Sequence, residues 1–520
     1  MPETIVAALA RHARERPAAP ALVAGGIRLS WAETKHWADA AAGWLLALGL
    51  PRGASVVGWL PNCAEWYLLR LACEQAGLFW IPVPTSQGSR ELSSILERVR
   101  PALLISPGHF RERDYAAECD AMCGALGLAP RRLQVAQESL LCLAGPAADQ
   151  GAALRLEEMA HALSTTGSDG PPKLARYTLA AACERAHAQQ ALLGLRPEDR
   201  LLVLSPGTGP ARAAWLAAPV AGSCVIGMPV FGVDATLDLI KTERATIVCG
   251  TPAQLAMLAP RLTSMDSSSV RIWYTAGSVL PRTLAEELES ATRGIVLSTY
   301  GGADFGGWSA AHPDDPPAVR HGTVGVPRGG TEFRIVDAQG RDQPAGQVGE
   351  VIGRGPCCVS GYIGPEGSER WKDGWFHTGD LAWTDSAGHI VIAGRLKEVI
   401  VRGGDKVSPA EVEAMLRTYR GVEQVAVVGV PDPVLGERVC ACVVPADPVA
   451  PPPLDALREQ LRGQGLAPYK APERILVLAA LPMVGDKINR RELSAMADRL
   501  FNGPPAAGPE PSAPASVHSG

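Results

Sequence analysis

The chain has 520 residues, 47% hydrophobic and 20% charged, with a formal net charge of -5 at pH 7. That length exceeds what one hydrophobic core supports, so a large domain and at least one smaller one are expected, and the charge balance offers no basic surface for nucleic acid or an anionic membrane. Met1-Pro2-Glu3-Thr4-Ile5 shows no basic segment followed by an apolar run, and no stretch reaches the length of a bilayer, so the expected location is the cytoplasm.

Residues 21–29 predict a hairpin, with Gly25-Gly26 between two apolar segments. Ser30 and Glu33 form a capping box at the start of a helix that ends near Leu48-Gly49. Ser55–Leu60 reads as a strand, Asn62 with Glu65 as the cap of another helix, and 78–83 as the next strand. The alternation continues through 90–99 and 103–106, which predicts an α/β fold: parallel-rich sheets with helices on both faces. Near residue 396 a second, α+β region begins. Ser408-Pro409-Ala410-Glu411 combines an N-cap serine, a proline at the first helical position and a glutamate at N3, predicting a helix to about Tyr419. Strands are expected at 422–430 and 439–444. From Asn502 to Gly520 the chain is dominated by Pro, Ala, Gly and Ser, the composition of a disordered tail. The twelve cysteines lie scattered in apolar stretches, and neither Cys119/Cys123 nor Cys357-Cys358 has a second pair at zinc spacing, so buried free thiols are expected.

Thr165-Thr166-Gly167-Ser168-Asp169-Gly170-Pro171-Pro172-Lys173 is rich in glycine and hydroxyls and ends in a lysine, a combination able to present N–H groups and a cation to phosphate oxygens. It lacks the GxxxxGK[ST] spacing, and by itself it reads equally as a surface loop. No GxGxxG follows a strand and opens a helix, which removes a dinucleotide-dependent reductase from consideration. Four later blocks change the weight of the loop. They are Tyr300-Gly301-Gly302-Ala303-Asp304, Gly349-Glu350 with Arg354-Gly355 and Gly361-Tyr362, Trp375-Phe376-His377-Thr378-Gly379-Asp380, and Gly394-Arg395-Leu396-Lys397-Glu398. In this order the five blocks resemble the adenylate-forming superfamily, in its acyl-CoA synthetase and aryl-acid ligase branch, over residues 20 to 495.

The resemblance implies a fold with an N-terminal adenylate- and acyl-binding domain over 1–395, a mobile domain over 396–501 pivoting at Lys397, and a tail over 502–520. It implies that Thr165, Thr166, Gly167, Ser168, Gly170 and Lys173 hold phosphate, that adenine stacks on Tyr300, and that Gly277 and Ser278 border it. Gly301 and Ala303 adjoin the adenylate, and Asp304 falls where an acid holds Mg²⁺. Asp380 matches the carboxylate that accepts both ribose hydroxyls, with Arg395 as a second ribose contact, while His377 is expected to be structural. Gly207, Thr208, Ala276 and Gly302 fall in the implied acyl pocket. Gly403 and Gly404 match a loop lining the CoA channel, and Lys487 matches the lysine that bridges carboxylate and phosphate during adenylation, one residue closer to Pro482 than usual.

CoA and either acyl-AMP or ATP are thus the expected co-substrates, with Mg²⁺ if adenylation is retained. Ser205-Pro206-Gly207-Thr208 lacks the bulk that the family often places in the acyl pocket, which points to a bulky hydrophobic acid. Asp169 in the phosphate loop, Ala303-Asp304 in place of threonine and glutamate, and the displaced Lys487 all fall on the adenylating half-reaction. A protein that mainly transfers acyl groups from acyl-AMP to CoA is therefore expected, with another enzyme supplying the adenylate. The alternatives are an ordinary two-step ATP-dependent ligase, since Thr165, Thr166 and Ser168 keep hydroxyls, and a stand-alone enzyme that loads a carrier protein.

Overall fold

In a computed structural model the described residues are 3–136, 139–146, 150–165, 173–205, 207, 209–364, 367–403, 405–484 and 487–502. They form two compact units, Met1–Ile392 and Ala393–Gly520.

The large unit is α/β. Its nine-stranded sheet has a parallel centre in the spatial order Ile295–Gly301, Ile272–Ala276, Ile247–Gly250, Arg200–Val203, Cys224–Gly227, Pro20–Ala24. These strands are short and almost wholly apolar because helices cover both faces, as a parallel sheet requires. Antiparallel strands close both edges, Trp308–Ala310 and Val326–Arg328 on one side and Ile27–Ser30 on the other. A seven-stranded sheet repeats the plan, with five parallel strands and antiparallel Leu174–Thr178 and Tyr362–Ile363 at one edge. A third, antiparallel sheet contains Glu332–Val336, Gly349–Arg354 and Trp375–Thr384.

The helix Ala64–Gln75 is buried along its whole length. Two of its charges pair, Arg70 and Glu74, 3% and 4% exposed and 3.0 Å apart, while burial pushes the Glu65 carboxyl up. The hairpin over 20–30 and the Ser30–Glu33 capping box are present as expected. Asn62 is not a cap. The helix begins at Ala64 behind Cys63, and the fully buried Asn62 carboxamide instead donates to the Val203 carbonyl at 3.1 Å and accepts from Tyr67 Oη at 2.7 Å. That strand-end carbonyl also accepts from the Met228 N–H at 3.3 Å, so Asn62 ties its segment to the neighbouring strand and not to its own helix.

The small unit has an antiparallel sheet around Val422–Asp432 and Gly436–Pro445, to which Arg474–Val477 adds in parallel. Ser408 precedes the helix Pro409–Leu416 without capping it, because its hydroxyl donates to the Ala393 carbonyl at 2.5 Å. The helix stops short of Tyr419, whose N–H turns back to the Leu416 carbonyl. Asn502 belongs to the last helix, Arg490–Asn502, and its side chain bonds to the Pro431 carbonyl at 2.7 Å; the rest of the expected tail lies outside the described residues. All twelve cysteines are free thiols and eleven are buried. Among the described residues no helix is long and apolar enough to cross a membrane.

Candidate functional site

The strand Ile295–Gly301 delivers Tyr300 to a turn at its C-terminal end, and Ile272–Ala276 beside it ends at Gly277 and Ser278, both exposed. Gly301 is required by close approach, since a Cβ there would sit 2.6 Å from the Gly307 carbonyl oxygen. Tyr300 Oη donates to Asp380 Oδ2 at 2.8 Å, which joins two side chains eighty positions apart. The turn carrying Asp380 is itself pinned. Thr378 Oγ1 donates to the Val351 carbonyl at 2.6 Å and accepts from the Asp380 N–H at 3.1 Å. Gly379, at φ +68, gives its N–H to Glu350 Oε1 at 3.0 Å, while Glu350 Oε2 lies 2.8 Å from His377 Nδ1. His377 is thereby held by a carboxylate.

Ala303 and Asp304 follow in the turn. The Ala303 carbonyl accepts from Tyr177 Oη and the Asp304 carbonyl from Tyr362 Oη, each at 2.6 Å. The Asp304 carboxylate, the expected Mg²⁺ ligand, receives Arg370 Nη1 at 2.6 Å. Arg370 is fixed on three more sides: Nε donates to the His377 carbonyl at 2.8 Å, Nη2 donates to the Thr378 carbonyl, and the guanidinium lies 4.5 Å over the Phe376 ring. Adjacent Glu369 accepts from Lys173 Nζ at 3.1 Å and from the Gly367 N–H at 2.6 Å. Among the described residues no group of three or more His, Cys, Asp or Glu side chains is placed to hold a metal ion. A carboxylate already committed to a guanidinium is a poor fit for a resident divalent cation.

A buried chain of contacts runs from the expected acyl pocket to the same turn. Trp215 Nε1 donates to the Gly207 carbonyl at 3.0 Å. His161 meets Trp215 edge-on, with centroids 5.0 Å apart, and stacks on Tyr177 at 5.0 Å and 14°. Arg212 Nη2 donates to Tyr177 Oη at 3.0 Å, and Tyr177 reaches the Ala303 carbonyl. Burial, reinforced by the charges of Arg70 and Arg212, drives His161 well below its usual pKa and keeps it neutral. Gly207, at φ +86, faces open space; the nearest atom to a Cβ there would be Trp66 Cζ2 at 3.9 Å.

Tyr300 to Asp304, Asp380 and Lys173 are thus joined within the large unit through Glu369 and Arg370. Thr165 lies at its edge, its N–H bonded to the Lys173 carbonyl at 2.9 Å. Thr166, Gly167, Ser168, Asp169, Gly170 and Thr208 lie outside the described residues, as does Gly404. Arg395, Lys397, Gly403 and Lys487 belong to the small unit. Lys397 is exposed on the turn Leu396–Glu398, and Gly403, at φ +58, donates its N–H to the Leu435 carbonyl at 2.7 Å. Lys487 lies on a two-residue strand paired with Met483–Val484.

Sequence reasoning missed Arg370, Glu369, Tyr177, Arg212 and the hold of Glu350 on Gly379 and His377. Of these only Glu350 carried a signal, its place in a glycine-flanked block; Arg370 sits 66 positions from Asp304, and nothing local marks it.

Comparison with known proteins identifies the family. Residues 9–363 match the family model described as AMP-binding enzyme, and residues 411–486 match the AMP-binding enzyme C-terminal domain. A 2-hydroxy-7-methoxy-5-methyl-1-naphthoate–CoA ligase of Streptomyces carzinostaticus is 32% identical over 95% of this chain and 93% of its own. A feruloyl-CoA synthase of an Amycolatopsis species is 33% identical over 91% and 95%. Among solved structures, ATP-bound MatB from Rhodopseudomonas palustris superposes with a TM-score of 0.86 at 26% identity, covering 96% of this chain and 100% of that one.

Proposed function

Because the chain belongs to the AMP-binding enzyme family, we propose that it is an acid–thiol ligase that makes the CoA thioester of a bulky hydrophobic carboxylic acid from its acyl-AMP, with the adenylating half-reaction weak or lost. The CoA thiol attacks the acyl carbonyl, the bond to phosphate breaks, and AMP leaves with a proton released. Relatives named for naphthoate and ferulate support both the ligase class and a large acid. The open space at Gly207, with Trp66 as its nearest wall, supports the same acid class.

The observation that carries the imbalance between the half-reactions is the engagement of Asp304 by Arg370 beside an alanine that offers phosphate no hydroxyl. The sequence adds Asp169, a negative charge in the segment that the resemblance assigns to phosphate; like charges about 4 Å apart would cost about 1 kcal/mol in water and about 4 at an effective dielectric near 20. An acyl adenylate has no β- or γ-phosphate and escapes that repulsion, while Tyr300 and Asp380 remain to bind it. Another enzyme then supplies the adenylate. The test is purified protein with synthetic acyl-AMP and CoA, which should give thioester while the same acid drives little ATP–pyrophosphate exchange. Robust exchange would restore an ordinary two-step ligase. A holo-carrier protein in place of CoA tests the other acceptor, and turnover of short aliphatic acids over polycyclic ones would overturn the substrate class.

A further inference from the structure

The turn Ser368–Arg370 puts opposite charges on the lysine expected to hold phosphate and the acid expected to hold Mg²⁺: Glu369 on Lys173 and Arg370 on Asp304. The two pairs differ in permanence. Glu369 is 62% exposed and its pair with Lys173 is a surface ion pair of small worth, released readily when phosphate competes for the lysine. Arg370 is 25% exposed, rests on Phe376 and is tied to two backbone carbonyls as well as to Asp304, so no single competitor displaces it.

We propose that Arg370 is a built-in counter-ion, standing at Asp304 in the place of a divalent cation and holding the nucleotide phosphate itself. The inference rests on the adenylate-forming reading of the site and deepens it. A guanidinium has five N–H donors, and the bonds to Asp304, His377 and Thr378 use three. The remainder matches the two-oxygen edge of a phosphate, which a planar fork recognises better than a point charge does. The location agrees with this use, because the Thr378 carbonyl that Arg370 holds is two residues from Asp380, the expected ribose anchor. A second cation at Asp304 would face the fixed positive charge of Arg370 and share a single carboxylate with it. A nucleotide monoester suits such a site, whereas a triphosphate that arrives with its metal does not.

Calorimetry on the full-length protein tests this, with AMP and with ATP, each in excess EDTA and in excess magnesium chloride. In the wild type magnesium should change ATP affinity by less than about twofold, and Arg370→Gln should weaken metal-free AMP binding by about tenfold while making ATP binding magnesium-dependent. Wild-type ATP binding that magnesium tightens and Asp304→Asn abolishes would make Asp304 a metal ligand and overturn the proposal. So would an Arg370→Gln protein, intact by near-ultraviolet circular dichroism, with unchanged AMP affinity, or a wild type that does not bind AMP. If Arg370→Gln does not fold, the wild type and Asp304→Asn decide alone, since magnesium insensitivity in both supports the proposal. Neither acid nor CoA enters these measurements, so they stand apart from the exchange assay.

Discussion

Asp380 is organised before any ligand arrives, by Tyr300 Oη on one oxygen and by a turn whose N–H groups are held by Thr378 and Glu350. Hydrogen bonds to a charged group are worth about 1.5–3 kcal/mol, so Asp380→Ala should weaken a non-hydrolysable acyl-sulfamoyl adenosine by at least about tenfold in calorimetry. Glu350→Gln should do so by less, because the amide still accepts the Gly379 N–H and only His377 loses its carboxylate. The cysteines offer a different residue-level test. Burial pushes Cys119 and Cys224 to about 11 and Cys183, Cys249 and Cys358 to about 12. Only Cys142 is half-buried, so Ellman's reagent at about pH 8 should find about one thiol in the native protein and all twelve in guanidinium. Rapid native titration of several thiols would contradict the burial.

Among the elements, the hairpin and the Ser30 helix were legible because their signals are local, a Gly-Gly turn and a capping box. Asn62 and Ser408 misled for the opposite reason: each has cap chemistry, but a carbonyl distant in sequence claims its side chain. The blocks that the resemblance assigns to the adenylate stand out in the sequence, yet the partner of Asp304 does not, since charge complementarity across sheets leaves no periodicity to read. Glu413 is a similar case. Only 2% exposed, it accepts from the Val427 N–H at 2.7 Å and from both Nη atoms of Arg490, tying the helices Pro409–Leu416 and Arg490–Asn502 to one strand. Removing one partner of a buried pair costs about 3–5 kcal/mol, so Glu413→Ala should strip hydrogen-exchange protection from Val422–Asp432 and leave the large unit's protection unchanged. At the turn Leu396–Glu398, the expected pivot, Lys397→Pro fixes φ and should slow thioester formation by about tenfold or more with acyl-sulfamoyl adenosine affinity unchanged. Unaltered turnover would remove the pivot from that position.

For the molecule as a whole, several carboxylates are held below their ordinary range by their partners. Arg52 holds Glu158 at about 2 against burial, and Arg28 lowers Glu243. Asp199 is pushed up by burial but brought below its usual value by Arg271 and the Arg196 N–H. A depressed folded pKa stabilises above the unfolded value and the gain disappears as protons return, so melting temperature should be flat above about pH 6.5, decline below it as the buried neutral His161 resists protonation, and fall further below about pH 4.5 as the carboxylates lose their charge. Glu158→Gln should flatten part of that slope, and an unchanged acid limb would contradict its pairing with Arg52. The aromatic chain beneath Gly207 has an optical consequence. Trp66 and Trp215 lie 5.7 Å apart at 73°, with Trp80 6.4 Å from Trp66, close enough to share excitation. All twelve tryptophans lie between Trp31 and Trp383, and none lies in the small unit. The protein therefore carries its own lamp in the large unit: an acid seated in the proposed pocket against Trp66 should quench or shift the emission with no dye attached, and the small unit adds no indole signal of its own.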